Sequence, residues 1–194
     1  MKKAALAAGA VLAFAALGWR ATRSAPPASP DPAALAKLAE LQDVLLARND
    51  NDPRLDGDFN ALTPQARRLF REAYARLPPE KRNERGTIVY LLGRNSLDAD
   101  DWAFLRGVVS EPPCLSLADC GKKPRTSDDE AVGDEVTLAY PPLVALNQLE
   151  PRISTGKATA DVAAVLAAGR KSASPAVARL AARLSARFAA ATHD

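Results

Sequence analysis

Helix-forming alanine and leucine so outweigh the β-branched residues that this chain has little from which to build a sheet. Its 194 residues hold 41 alanines and 25 leucines but only two isoleucines, Ile88 and Ile153. Alanine and leucine lose little freedom in a helix, whereas pleated surfaces favour β-branched side chains. The punctuation agrees. Asp31-Pro32, Thr63-Pro64 and Asp98-Ala99 each place a capping residue ahead of a helical start, and Pro78-Pro79 and Pro112-Pro113 are stops. The expected class is all-α, with helical hairpins stacked as a short solenoid or gathered as an irregular bundle.

The apolar spacing predicts a first helix over residues 31–47, with Leu35, Leu38, Leu41 and Leu45 on its inner face. A second starts at Thr63 and carries Leu69, Phe70, Ala73, Tyr74 and Leu77, while Arg68, Glu72 and Arg76 form i,i+4 pairs on its outer side. The third covers about 84–92, with Ile88, Leu91 and Leu92 inward. The fourth covers about 99–110, with Asp98 as cap, Asp101 at its third position and Trp102, Leu105 and Val109 as its stripe. Residues 136–149 read as helical with a break at Pro141-Pro142. The last two helices are expected over about 159–168 and 175–191. Ser174 caps the second of these, whose stripe is Val177, Leu180, Leu184 and Phe188.

Two of the turns are alike. Gly93-Arg94-Asn95-Ser96-Leu97-Asp98 aligns with Gly169-Arg170-Lys171-Ser172-Ala173-Ser174, each at the end of one apolar helix and the start of another. The glycines suit left-handed helix ends, and Asp98 and Ser174 suit the next N-caps. The stretch TIVYLLGRNSLDADDWAFLRGVV, residues 87–109, resembles a HEAT-like repeat, and the C-terminal hairpin resembles one more loosely. The resemblance implies a stack of two-helix units with extended grooves for partners.

The N-terminus reads as an address. Lys2 and Lys3 precede an uncharged run over residues 4–19, which as a helix would be about 24 Å long. Residues 1–20 are expected to be a signal peptide or an N-terminal membrane anchor, and 21–32, rich in proline, a linker. Residues 33–194 form the α-helical domain. Lys2, Lys3 and Arg20 also account for the whole net charge of +3, because 23 basic residues then face 23 acidic ones. A neutral domain with ten aromatic residues gives no footing for nucleic acid.

Few residue sets suggest chemistry. His193 is the single histidine, which excludes His-pair metal sites and triads built on a histidine in a cleft. No Gly-rich phosphate loop, nucleophile elbow or HExxH helix occurs, and no cofactor is implied. Cys114 and Cys120 sit in one Pro- and Ser-rich loop and are expected to form a local disulfide. Residues 49–60 hold Asp52, Asp56 and Asp58 in an Asx-rich turn. They are a weak calcium candidate, since the EF-hand pattern fails at Arg54 and Thr63. Arg179, Arg183 and Arg187 share one face of the last helix, and Asp128, Asp129 and Glu130 form an acidic run. Asp98, Asp100 and Asp101 cluster where capping already accounts for them.

These features lead to an exported, non-catalytic interaction or scaffold module of a bacterial-type cell envelope, with an unidentified protein partner. The acidic run is then a docking loop and the arginine face a partner surface. Two alternatives stay open. One is a peripheral protein that meets an anionic membrane through Arg179, Arg183 and Arg187; the other is a hydrolase using the clustered carboxylates.

Overall fold

The computed structural model describes residues 31–49, 51–124, 133–155 and 159–191, and these form helices joined by turns and loops, with no strand among them. Residues 1–30, which include the expected address and most of the linker, lie outside the described residues, as do Asp128, Asp129, Glu130 and His193.

Capping sets the helix starts. In α1 (Pro32–Ala47) the Asp31 carboxylate accepts the Ala33 N–H at 3.2 Å, and in α2 (Pro64–Arg76) the Thr63 hydroxyl accepts the Ala66 N–H at 3.2 Å. After α3 (Arg82–Gly93), α4 (Ala99–Val109) opens with a full capping box. Asp98 accepts the Asp101 N–H at 3.0 Å, and Asp101 accepts the Asp98 N–H at 3.2 Å. The chain continues through α5 (Glu135–Leu138), α6 (Tyr140–Asn147), α7 (Glu150–Ser154), α8 (Ala160–Arg170) and α9 (Pro175–Ala191).

The helices gather around α3 and α6. Helix α1 packs on α2 and α2 on α3, α6 lies against α3, α4, α8 and α9, and α8 runs along α9. Helix α6 is short and apolar, with Pro141, Pro142, Val144, Ala145 and Leu146 buried, as befits a helix covered by its neighbours. Its two prolines fall in the first turn, where no intrahelical N–H is needed. The expected break therefore comes at Ala139, just before the prolines.

Close approach at this centre depends on glycine. A Cβ on Gly86 would overlap the Tyr140 ring, and one on Gly93 would overlap the Gln148 side chain, so these two α3 positions admit α6. Gly169 in α8 does the same work: a Cβ there would lie 2.9 Å from Ala181 Cβ and 3.2 Å from Leu146. This corrects the expectation of left-handed glycine caps. Gly93 and Gly169 are inside their helices, and the residue after Gly93, Arg94, has φ −75°. The likeness between the two Gly-Arg turns thus reflects packing of the preceding helix.

Other differences are local. The inner face of α1 is turned by one residue from the leucine pattern, with Ala34, Leu41 and Val44 buried and Leu35 44 % exposed. Leu38 and Leu45 pack against the core edge. The stripes expected for α2, α3 and α4 are inward, and Trp102 is partly buried. In α9, Val177, Leu180 and Leu184 are buried and Phe188 packs at the margin.

The glycine argument predicts opposite outcomes for one substitution at two sites. Gly86→Ala overpacks the α3–α6 contact and should lower unfolding free energy by about 1–3 kcal/mol. At Gly107 in α4 a Cβ meets nothing within 4 Å, and Gly107→Ala should raise stability by about 0.5–1 kcal/mol through helix propensity. Urea titration of both variants checks the pair.

Candidate functional site

The carboxylates that stood out in the sequence are bound to arginines. Asp101, 0 % exposed, accepts Arg67 Nε at 2.6 Å and also Arg71 Nη1. Arg67, itself buried, gives Nη2 to Asp98 at 2.7 Å and Nη1 to the Leu62 carbonyl at 3.1 Å. Asp100 is exposed and reaches Arg71 only at 3.5 Å. The Asp101 N–H and the Arg67 guanidinium hold the Asp98 carboxyl down at about 2. A catalytic proton donor needs a shift in the opposite direction.

A second cluster joins α2, α3 and the turn after α4. Glu111 Oε1 accepts the Tyr74 hydroxyl at 2.8 Å and Arg85 Nη2, and the Arg85 guanidinium lies 3.9 Å from the Tyr74 ring centre. Burial and the Glu111 carboxylate push the Tyr74 hydroxyl well above the usual phenol value. A third cluster fixes the α3 C-terminus. Arg152 Nη2 donates to the carbonyls of Gly93 and Asn95, each at 2.9 Å, and its guanidinium lies 5.4 Å from the Trp102 ring centre. Buried Asn95 accepts the Leu62 N–H at 2.8 Å and donates to the carbonyls of Phe59 and Leu91.

The aspartates of residues 49–60 do not converge. Asp52 caps the 3-10 turn Pro53–Leu55 and binds Arg54, Asp56 pairs with Arg94 at 3.1 Å, and Asp58 is exposed. Among the described residues no group of three or more His, Cys, Asp or Glu is placed to hold a metal ion. The arginine face of α9 is largely engaged: Arg179 binds Glu135 at 2.8 Å, Arg187 binds Glu150, and Arg183 is exposed without an ion-pair partner among the described residues. Cys114 and Cys120 stand at disulfide distance, with Cα atoms 4.1 Å apart, and the Glu80 carboxylate accepts the Cys120 N–H at 2.8 Å. That hydrogen bond holds the Glu80 carboxyl below its ordinary value.

Two hollows have open mouths. One, of about 260 Å³, lies between the end of α1, the start of α3 and Leu117 of the cysteine loop. Among its charged lining residues, Lys81 meets Glu84 at 3.4 Å. The other is a groove of about 840 Å³ between α4 and α8. Ala103, Gly107, Ala164 and Ala167 line it with small side chains, and Arg106, Lys171 and Glu111 add charge. No motif in the sequence marks this groove; the nearest signal is the run of small residues in α8.

No protein-family model, no curated protein and no solved structure matches this chain. Among the described residues no helix is long and apolar enough to cross a membrane.

The depressed Asp98 pKa gives stability that is complete above the unfolded-state value of about 4. It is lost as pH falls toward about 2. Unfolding free energy measured from pH 5 downward should decline across that window, and Asp98→Asn should flatten the decline. The cysteine pair closes a loop of separation 6, so reduction by a dithiol should cost about 2 kcal/mol. A fall in melting temperature on reduction, absent in Cys114→Ala/Cys120→Ala, checks this.

Proposed function

We propose that this chain is an exported, non-catalytic interaction module of the cell envelope that receives a protein partner in the groove between α4 and α8. One observation carries the reading: the outer face of α4 at Gly107 meets no neighbouring atom within 4 Å, beside a groove of about 840 Å³ lined with alanines. Small residues let another backbone approach closely, and the charges of Arg106, Lys171 and Glu111 offer orientation. The resemblance of residues 87–109 to a HEAT-like repeat supports the same reading, because helical hairpins use such grooves for partners. Export is supported by Lys2 and Lys3 ahead of the apolar run, and by the cysteine pair, which suits an oxidising compartment. The membrane-surface alternative loses weight, since Arg179 and Arg187 are committed to Glu135 and Glu150.

The test is photo-crosslinking in the native cell from a photoreactive residue at Ala167, with one at Leu46, which is 82 % exposed on α1, as reference. One discrete adduct from Ala167 and not from Leu46 is expected. Gly107→Trp should abolish it, and a melting temperature within a few degrees of the parent protein shows that the fold is kept; Gly107 admits a Cβ freely. Equal labelling from both positions, or an adduct that survives Gly107→Trp, would remove the groove from the proposal.

A further inference from the structure

The charges at one end of the α4–α8 groove are unbalanced. Arg106 is in the last turn of α4 and Lys171 is the C-cap of α8, and both are exposed on the groove wall. Neither side chain has an ion-pair or hydrogen-bond partner among the described residues. The third charged residue of the wall, Glu111, is bound instead by Arg85 and the Tyr74 hydroxyl. The two cations share an end because the helices do. Pro112, just beyond α4, and Ser172, just beyond α8, line both the groove and a smaller cavity of about 120 Å³ beside Arg82. The C-terminal ends of α4 and α8 therefore lie together, with Ala103 to Ser110 along one wall and Ala164 to Lys171 along the other.

A helix leaves carbonyls and the negative end of its dipole at its C-terminus. Two such ends side by side favour the positive start of a third helix. Arg106 and Lys171 favour carboxylates in that helix's first turn, where acidic residues also stabilise it. The walls suit a helix in shape as well. Ala103 and Gly107 are four residues apart on α4, as are Ala164 and Ala168 on α8, so each wall offers a smooth row for a neighbouring ridge. The volume of about 840 Å³ between the rows leaves room for larger apolar side chains on the occupant. We propose, on the reading of the groove as a partner's seat, that its occupant is an amphipathic helix of another protein. That helix lies antiparallel to α4 and α8, with an acidic first turn against Arg106 and Lys171. Ala103 and Ser110 are about 10 Å apart along α4, so the contact takes at least about two turns of the partner.

Photo-crosslinking from the full chain in the native cell reads orientation and charge separately. Photoreactive residues placed in turn at Ser110 and Ala103 should label one partner protein at sites about seven residues apart. The Ser110 site should be N-terminal to the Ala103 site and within one turn of at least two Asp or Glu. The reverse order, a Ser110 site without acidic neighbours, or no label from either position would overturn the proposal. So would an adduct to a second copy of this chain, or one formed within the chain. Charge is read from Ala167. Arg106→Glu/Lys171→Glu should lower the adduct yield at least about tenfold, since like charges then meet, and Arg106→Gln/Lys171→Gln should lower it several-fold. Arg183→Glu, at an exposed arginine of α9, should leave the yield unchanged. These variants replace exposed side chains, and a melting temperature within a few degrees of the parent shows that each is folded. A yield unchanged in the Glu pair, or lowered as much by Arg183→Glu, would overturn the acidic helix and leave the groove as the partner's seat. No discrete adduct from Ala167 in the parent chain would remove the groove itself, and this inference with it.

Discussion

The carboxylate of Asp101 is the point on which this arrangement of helices turns. It is wholly buried, and a carboxylate in that position persists only when its oxygens are matched by donors. It has three: Arg67, Arg71 and the Asp98 N–H. Two of these are on α2 and the third is at the start of α4, so the same group closes the capping box and ties the two helices together. Removing either side strands a buried charge, at a cost of about 3–5 kcal/mol. Arg67 carries the tie further, to the Leu62 carbonyl, and Asn95 meets the Leu62 N–H from the α3–α4 turn. The loop before α2 is thereby fixed to the two helices that follow it.

With α2 and α4 joined, α3 is left to meet α6, and there the argument passes from charge to volume. An eight-residue helix has little intrinsic stability in water, so α6 depends on burial. Gly86 and Gly93 let it sit close to α3, and Gly169 repeats the device where α8 meets Leu146 and Ala181. From α7, Arg152 then binds the last carbonyl of α3, at Gly93, and the Asn95 carbonyl just beyond it, groups that the helix cannot satisfy from within.

Much of this was legible in the sequence, and the division has a physical cause. Caps and stops act over three or four residues, so Thr63, Asp98 and the proline pairs located the helices closely. The i,i+4 pairs Arg68–Glu72 and Glu72–Arg76 form for the same reason. Contacts over thirty residues or more carry no such signal. Nothing in the spacing says that Arg67 would turn inward to Asp101, or that Arg179 and Arg187 would bind Glu135 and Glu150. Glycine misled because it serves two ends: a left-handed turn and a close approach look identical in sequence, and Gly93 takes the second. The α4–α8 groove was illegible because small residues mark a packed interface and an open one alike.

The segment after α4 lies between two hollows. Glu111, Pro112 and Ser172 line both the α4–α8 groove and the smaller cavity beside Arg82. Cys114 is in the wall of that cavity, and its partner Cys120 is held to Glu80, next to the start of α3. A crosslink spanning so short a loop adds little to global stability, about 2 kcal/mol in the chain-entropy model. Its larger effect is positional: it fixes residues 114–120, which follow Pro112-Pro113 and belong to no helix. Three residues before Cys114, Glu111 is bound by Arg85 and Tyr74 and also lines the groove. The crosslink therefore acts on a segment that no helix orders, next to residues that line the groove.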